Sequence, residues 1–169
     1  GSMLYWTGVD RWEADAVPEF VRQFQSRPVR RFLDVGAHAG IYSLFACALS
    51  PTVKAMAFEP VPALVKRIER NVIANRFGDR IDIRAVAVSD MNGELDLHVP
   101  EDLTMSSLDA GYLQGMSLTS TAVRVPVVSI DSLELDDVDF MKIDVEGCED
   151  SVLRGARETI TRCQPRILF

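Results

Sequence analysis

A chain of 169 residues, 47% hydrophobic and 25% charged, has the balance of one globular domain and enough material for a sizeable core. Its formal net charge of −7 and pI of about 4.8 argue against a nucleic-acid partner recruited by summed charge; Arg27, Arg30 and Arg31, the densest basic cluster, read as a solvated edge. No apolar run approaches the ~20 residues of a membrane-spanning helix. Three cysteines, Cys47, Cys148 and Cys163, fit no metal-knuckle spacing, and a reduced, cytoplasmic setting is expected.

Gly1, Ser2 and Met3 read as a cleavage scar from expression, and residues 4–30 as a helical segment packed on a domain spanning 31–169. Val17, Phe20, Val21 and Phe24 recur at helical spacing, with Pro18 tolerable only near the start. Arg31 to Val35 reads as a buried strand, Gly36 to Gly40 as a turn, and Ile41, Leu44, Phe45 and Ala48 as one face of a helix closed by Pro51. Val53 to Phe58 is a second strand. Val61, Leu64, Val65, Ile68 and Val72 line the next helix, which Gly78 follows.

Ile81 to Val88 reads as a third, continuous strand. Asn92-Gly93 is a hairpin turn, with an alternating strand from Glu94 to Val99 behind it. Residues 103–121 lack periodicity and read as a long loop, a candidate acceptor lid. Val123 to Ile130 is a strand, placed at a sheet edge by Pro126. Val138 to Val145 is a buried strand. Val152, Leu153, Ala156 and Ile160 make one helix, and Arg166 to Phe169 begin a last strand. The alternation predicts a doubly wound, mostly parallel α/β sheet with helices on both faces. The chain stops inside an apolar strand, which reads as truncation before the closing strands. An open edge there would invite pairing into a homo-oligomer.

The chemistry concentrates at strand ends. Gly36 permits a tight turn and close approach of a ligand, and Gly40 does the same at the helix start. Turn amides can face a polar ligand group at the positive helix end. The turn reads Gly36-Ala37-His38-Ala39-Gly40, which lacks two glycines of the dinucleotide fingerprint and so gives no open cradle for a pyrophosphate. S-adenosylmethionine (SAM) has no phosphate, and Asp34 supplies an acid for its ammonium. Glu59, with Pro60 beside it, ends the second strand at the separation of about 20 residues that suits a ribose-binding acid. Ala87 and Val88 would lie against an adenine. Asp144 and Glu146 end the later strand and are candidates for the base that helps an acceptor hydroxyl, with His38 third. The acidic stretch from Asp136 to Asp150 offers oxygens to a divalent ion, but its spacing does not favour a metal site.

These residues resemble the FkbM family of SAM-dependent methyltransferases. The resemblance rests on Phe32-Leu-Asp-Val-Gly-Ala-His-Ala-Gly-Ile-Tyr-Ser43, Ala57-Phe-Glu-Pro60, Ala87-Val-Ser-Asp90 with Gly93, and Met141-Lys-Ile-Asp-Val-Glu-Gly147. It implies a class I methyltransferase fold and methyl transfer to oxygen on a small-molecule or sugar hydroxyl. By position, Asp34, Gly36, Ala37 and Gly40 would hold the methionine part, Glu59 the ribose, Val88 the adenine, and Asp144 would line the donor pocket. His38 stands where the family commonly has Asn. Two other readings stay open: a SAM-binding domain without catalysis, and a nicotinamide-dependent oxidoreductase.

Overall fold

The computed structural model describes residues 16–100 and 120–169. Helix α1 covers Ala16–Ser26 and leads into β1, Arg31–Val35. There follow α2 (Ile41–Leu49), β2 (Lys54–Phe58), α3 (Pro62–Ala74) and β3 (Ile81–Arg84). Strands β4 (Ala87–Val88), β5 (Gly93–Pro100) and β6 (Ser120–Val128) come next, then a 3-10 turn at Asp131–Leu133. β7 (Phe140–Ile143), α4 (Glu149–Arg154), α5 (Arg157–Cys163) and β8 (Arg166–Leu168) complete the chain. The loop expected over 103–121 lies outside the described residues, apart from Ser120 and Thr121 in β6, as do residues 1–15.

The main sheet has the order β3-β2-β1-β7-β8, and every pair in it is parallel. Each central strand is buried on both faces, which is why β1, β2 and β7 read as apolar runs. Alternation assigns the faces. Phe32, Ala55, Ala57 and Phe140 meet α1, α2 and α3; Leu33, Val35, Met56, Phe58, Met141 and Ile143 meet Val152 and Ala156 across the sheet. The doubly wound expectation holds.

The first face is anchored by aromatic rings. Phe20 stacks on Phe140 at a centroid distance of 5.5 Å and meets Phe32 and Tyr42 edge-on at 5.5 and 5.0 Å. Such pairs add about 0.5–1.5 kcal/mol each beyond area burial, so α1 belongs to the core.

Three local expectations need correction. Ile81–Val88 is not one strand. The amide of Glu59 donates to the Arg84 carbonyl at 3.0 Å, and the next amide on that side of the chain, Val61, is taken by Glu59 Oε1, which ends the ladder. The chain then leaves, and Ala87 and Val88 pair with Val127 and Val128 in a second sheet, β4-β6-β5. Pro126 does not mark an edge, because β6 is the middle strand there. The two-residue β4 reaches only Val127 and Val128, so Pro126 lies outside that ladder. Finally, the helix expected across 152–160 is two helices. Gly155 sits against the Ser89 carbonyl, where a Cβ would come within 2.0 Å of the oxygen. The break also lets the Asp131 carboxylate accept from the amides of Glu158 and Thr159, at 3.0 and 2.8 Å, and cap α5.

Candidate cofactor site

The chain runs outward from β1 to β2 and β3, then returns to the other side of β1 as β7. The carboxyl ends of β1 and β7 therefore form the topological switch point, where open α/β sheets bind ligands. Gly36 follows β1 and Asp144 follows β7, and they touch. Gly36 has φ +75°, and a Cβ on it would fall 1.9 Å from the Asp144 carbonyl oxygen. The missing side chain thus makes room for the protein's own backbone. Gly40 shares that left-handed conformation, and its Cβ would press on Ile68 of α3 at 3.0 Å.

The turn's amides have protein acceptors. Gly36 and Ala37 both donate to the Phe58 carbonyl, at 3.1 and 2.9 Å. The His38 amide donates to Glu59 Oε2 at 2.8 Å, and the Gly40 amide to the Ala37 carbonyl at 2.7 Å. The turn is therefore closed on itself, and those four donors offer no anion cradle of the phosphate-binding kind.

Carboxylates surround this turn. Asp34 is fully buried. Its Oδ2 accepts from the Ser43 amide at 3.0 Å and the Ser43 hydroxyl at 2.7 Å, which caps the start of α2 where Gly40 cannot. Asp34 Oδ1 has no hydrogen-bond partner; Lys142 Nζ lies at 4.0 Å, an ion-pair distance. Burial pushes the Asp34 carboxyl up, against the pull of Lys142 and Ser43. Glu59 is 5% exposed and spans the loop after β2, with Oε1 accepting from the Val61 amide at 2.9 Å. Burial pushes it up to about 7, opposed by its two amide bonds and by Lys142. His38, with φ +52°, is half-buried, and its Nε2 has no partner. Burial, then the Arg67 and Lys142 charges, hold its imidazole below the ordinary range.

Lys142 is the residue that sequence reasoning missed. It is a cation in the apolar run of β7, in register with Asp34 on β1 and on the same sheet face. Its ammonium donates to the Gly36 carbonyl at 3.0 Å and pairs with Asp144 at 3.2 Å. The signal was the Lys itself, one polar letter in a strand of fully buried neighbours.

The structure thus gathers Asp34, Gly36, Ala37, His38, Gly40, Glu59 and Asp144 around one turn. Asp144 has a half-exposed side chain, at 52%. Glu146 lies on the loop after Asp144, in a left-handed conformation at φ +51° before Gly147 at φ +91°. The loop carrying it is held by Glu149, whose Oε1 accepts from the amides of Val145 and Gly147. Glu149, not Glu146, occupies the first turn of the following helix. Pro60 is half-buried beside Glu59. Ala87 and Val88 are packed, Ala87 with Val61 and Leu64, Val88 with Leu33 and Phe58. Among the described residues, no three His, Cys, Asp or Glu side chains form a group that could hold a metal ion, and no helix is long and apolar enough to cross a membrane.

A parallel sheet in this order, with a glycine turn after β1 and an acid after β2 at the switch point, defines the Rossmann-like, class I methyltransferase architecture. Solved structures share it: a methyltransferase FkbM from Methylobacillus flagellatus aligns with a TM-score of 0.57 at 22% identity, over 88% of this chain and 36% of that one. A precorrin-6y C5,15-methyltransferase from Geobacter metallireducens aligns with a TM-score of 0.51 at 16% identity, over 86% of this chain and 54% of that one. Residues 34–169 match the model of the methyltransferase FkbM domain, and the chain belongs to that family. It is 28% identical over 151 residues to 2-O-methyltransferase NoeI of Sinorhizobium fredii, covering 80% of this chain and 61% of the relative. It is 28% identical over 161 residues to 31-O-demethyl-FK506 methyltransferase FkbM of Streptomyces tacrolimicus, covering 78% and 61%. The chain therefore spans about three-fifths of the curated relatives it matches.

Proposed function

We propose that this chain is the SAM-binding core of an O-methyltransferase acting on a hydroxyl of a small molecule or sugar. The observation that carries the reading is the charge and donor pattern of the switch point. Asp34 and Asp144 face the Lys142 ammonium there, Glu59 holds the His38 amide beside them, and the amides of Gly36, Ala37, His38 and Gly40 are committed to protein acceptors. That pattern suits a ribose-bearing cation and disfavours a pyrophosphate, which sets the nicotinamide reading aside. The names of both curated relatives place the methyl on oxygen, which supports the same acceptor chemistry here.

The residues present fit the cofactor. Each Glu59 oxygen accepts one amide and keeps a lone pair for a ribose hydroxyl. Asp34 Oδ1 and His38 Nε2 are buried polar atoms without hydrogen-bond partners beside the turn. Bound SAM would supply an electrophilic methyl group for in-line displacement by an oxygen. The chain's own part is alignment: Asp34 braces the turn through Ser43, and Glu59 fixes the ribose end. Asp144, half-exposed beside the turn, and Glu146, in a left-handed backbone conformation, are the candidates to accept a proton from the acceptor hydroxyl.

The test is calorimetric titration with S-adenosylhomocysteine (SAH), with Glu59→Ala as the control. Binding in the micromolar range that the substitution abolishes is the expected result. A folded protein that ignores SAH and binds NAD would overturn the proposal. SAH binding with no turnover across hydroxylated acceptors would leave a cofactor-binding domain without catalysis.

A further inference from the structure

Among the described residues, Lys142 is the one buried cation, 6% exposed on the strand next to β1. Leaving an ammonium in such a place is unfavourable unless every side of it is compensated. Here four sides are. Asp144 lies at 3.2 Å, Asp34 at 4.0 Å, the Gly36 carbonyl at 3.0 Å, and the Tyr42 ring centroid at 5.2 Å. These partners come from β1, the glycine turn, α2 and the end of β7, so one side chain ties together the elements that make the switch point.

We propose that Lys142 is a positioning residue of this site: its ammonium locks the glycine turn to the end of β7 and is the counter-charge of the carboxylates gathered there. The inference rests on the cofactor reading above and adds a role that glycine turn and acids do not fill. A neutral packing residue at 142 would leave Asp34 buried opposite no cation, and Gly36 with an unanswered carbonyl. Among the described residues, the charged and titratable groups facing the cluster include Asp34 on β1, His38 in the turn, Glu59 after β2, Arg67 on α3 and Asp144 after β7. The Lys142 charge favours the ionised forms of Asp34 and Glu59. Ionised Glu59 is the form that accepts two ribose hydroxyls. Lys142 therefore extends cofactor binding toward lower pH.

The experiment follows the Glu59 carboxyl carbon by NMR across the pH range, assigned by its absence in Glu59→Gln, alongside SAH titration at each pH. In the wild type the midpoint is expected near 7, with SAH affinity falling below it. Lys142→Met is expected to raise both midpoints by roughly half a pH unit or more, whereas Lys142→Arg, which keeps the cation, stays near the wild type. A folded Lys142→Met protein with the wild-type midpoint, weakened equally at every pH, overturns the proposal and leaves Lys142 a packing residue. Should Lys142→Met not fold, Asp34→Asn is compared with Asp34→Asn/Lys142→Met, in which the buried pair leaves together. The same rise is expected, and its absence is equally fatal. Wild-type protein that shows the carboxyl titration but no SAH binding sinks the cofactor reading instead.

Discussion

In the proposed cofactor role, Glu59 meets two opposed demands. Binding a ribose calls for its charged form, while burial disfavours that form and raises the carboxyl from the usual 4.5 to about 7. The folded chain therefore holds this proton more tightly than the unfolded chain. Its contribution to stability is full below about pH 4.5 and declines as pH rises from there through about 7, by at most ~3 kcal/mol. His38 runs the other way, since its lowered imidazole pKa gains stability as pH rises. Comparison with a variant isolates the Glu59 term. Urea unfolding of the wild type and Glu59→Gln across this range should show the variant lacking the decline. Parallel curves for the two proteins would mean that Glu59 is not perturbed as the structure implies. On the proposed reading, stability and cofactor affinity thus pull apart at one side chain.

The elements meet through backbone contacts that admit no side chain. Gly36 at the end of β1 and Gly155 between α4 and α5 each face a carbonyl at a distance a Cβ cannot share, 1.9 and 2.0 Å. Gly36→Ala also forces an L side chain into φ +75°. Its expected cost exceeds ~4 kcal/mol, because β1 and β7 must separate for the methyl to fit. Gly78 is the control, since nothing lies within 4 Å of its Cβ position. Gly78→Ala should stay within about 0.5 kcal/mol of the wild type in the same denaturation assay. Comparable losses at the two positions would show that the β1–β7 junction is softer than this packing implies. The glycine turn was legible as a turn from Gly36 and Gly40. That Gly36 accommodates the Asp144 carbonyl was not, because the two residues meet only through the β1–β7 pairing.

Across the whole molecule, the site joins the parts of the main sheet. β1 brings Asp34, the loop after β2 brings Glu59, and β7 brings Lys142 and Asp144. A ligand held by all three stabilises the native state by mass action, by ~2.7 kcal/mol at a concentration a hundredfold above its Kd. For a chain of this size that corresponds to roughly 5–10 °C in Tm. Thermal unfolding with excess SAH should show such a rise, and Glu59→Ala should remove it. An unchanged Tm at SAH concentrations far above any useful affinity would contradict the cofactor reading.

Much of this protein is written locally in its chain. The apolar runs at 31–35, 54–58 and 140–143 had to be strands of a parallel sheet, because strands covered on both faces cannot alternate. Gly36 and Gly40 had to be a turn, and Glu59 an acid at a strand tip, because those features depend on neighbours in sequence. The tertiary structure decided what depends on partners far away. It ended the third strand at Arg84 because the next amide on that side, Val61, is taken by Glu59, and it let Pro126 sit in a middle strand because the two-residue β4 does not reach it. It also turned Lys142 from one polar letter in an apolar run into the centre of the site. Its bond to Gly36 spans 106 residues of sequence, a distance over which periodicity and spacing carry no register.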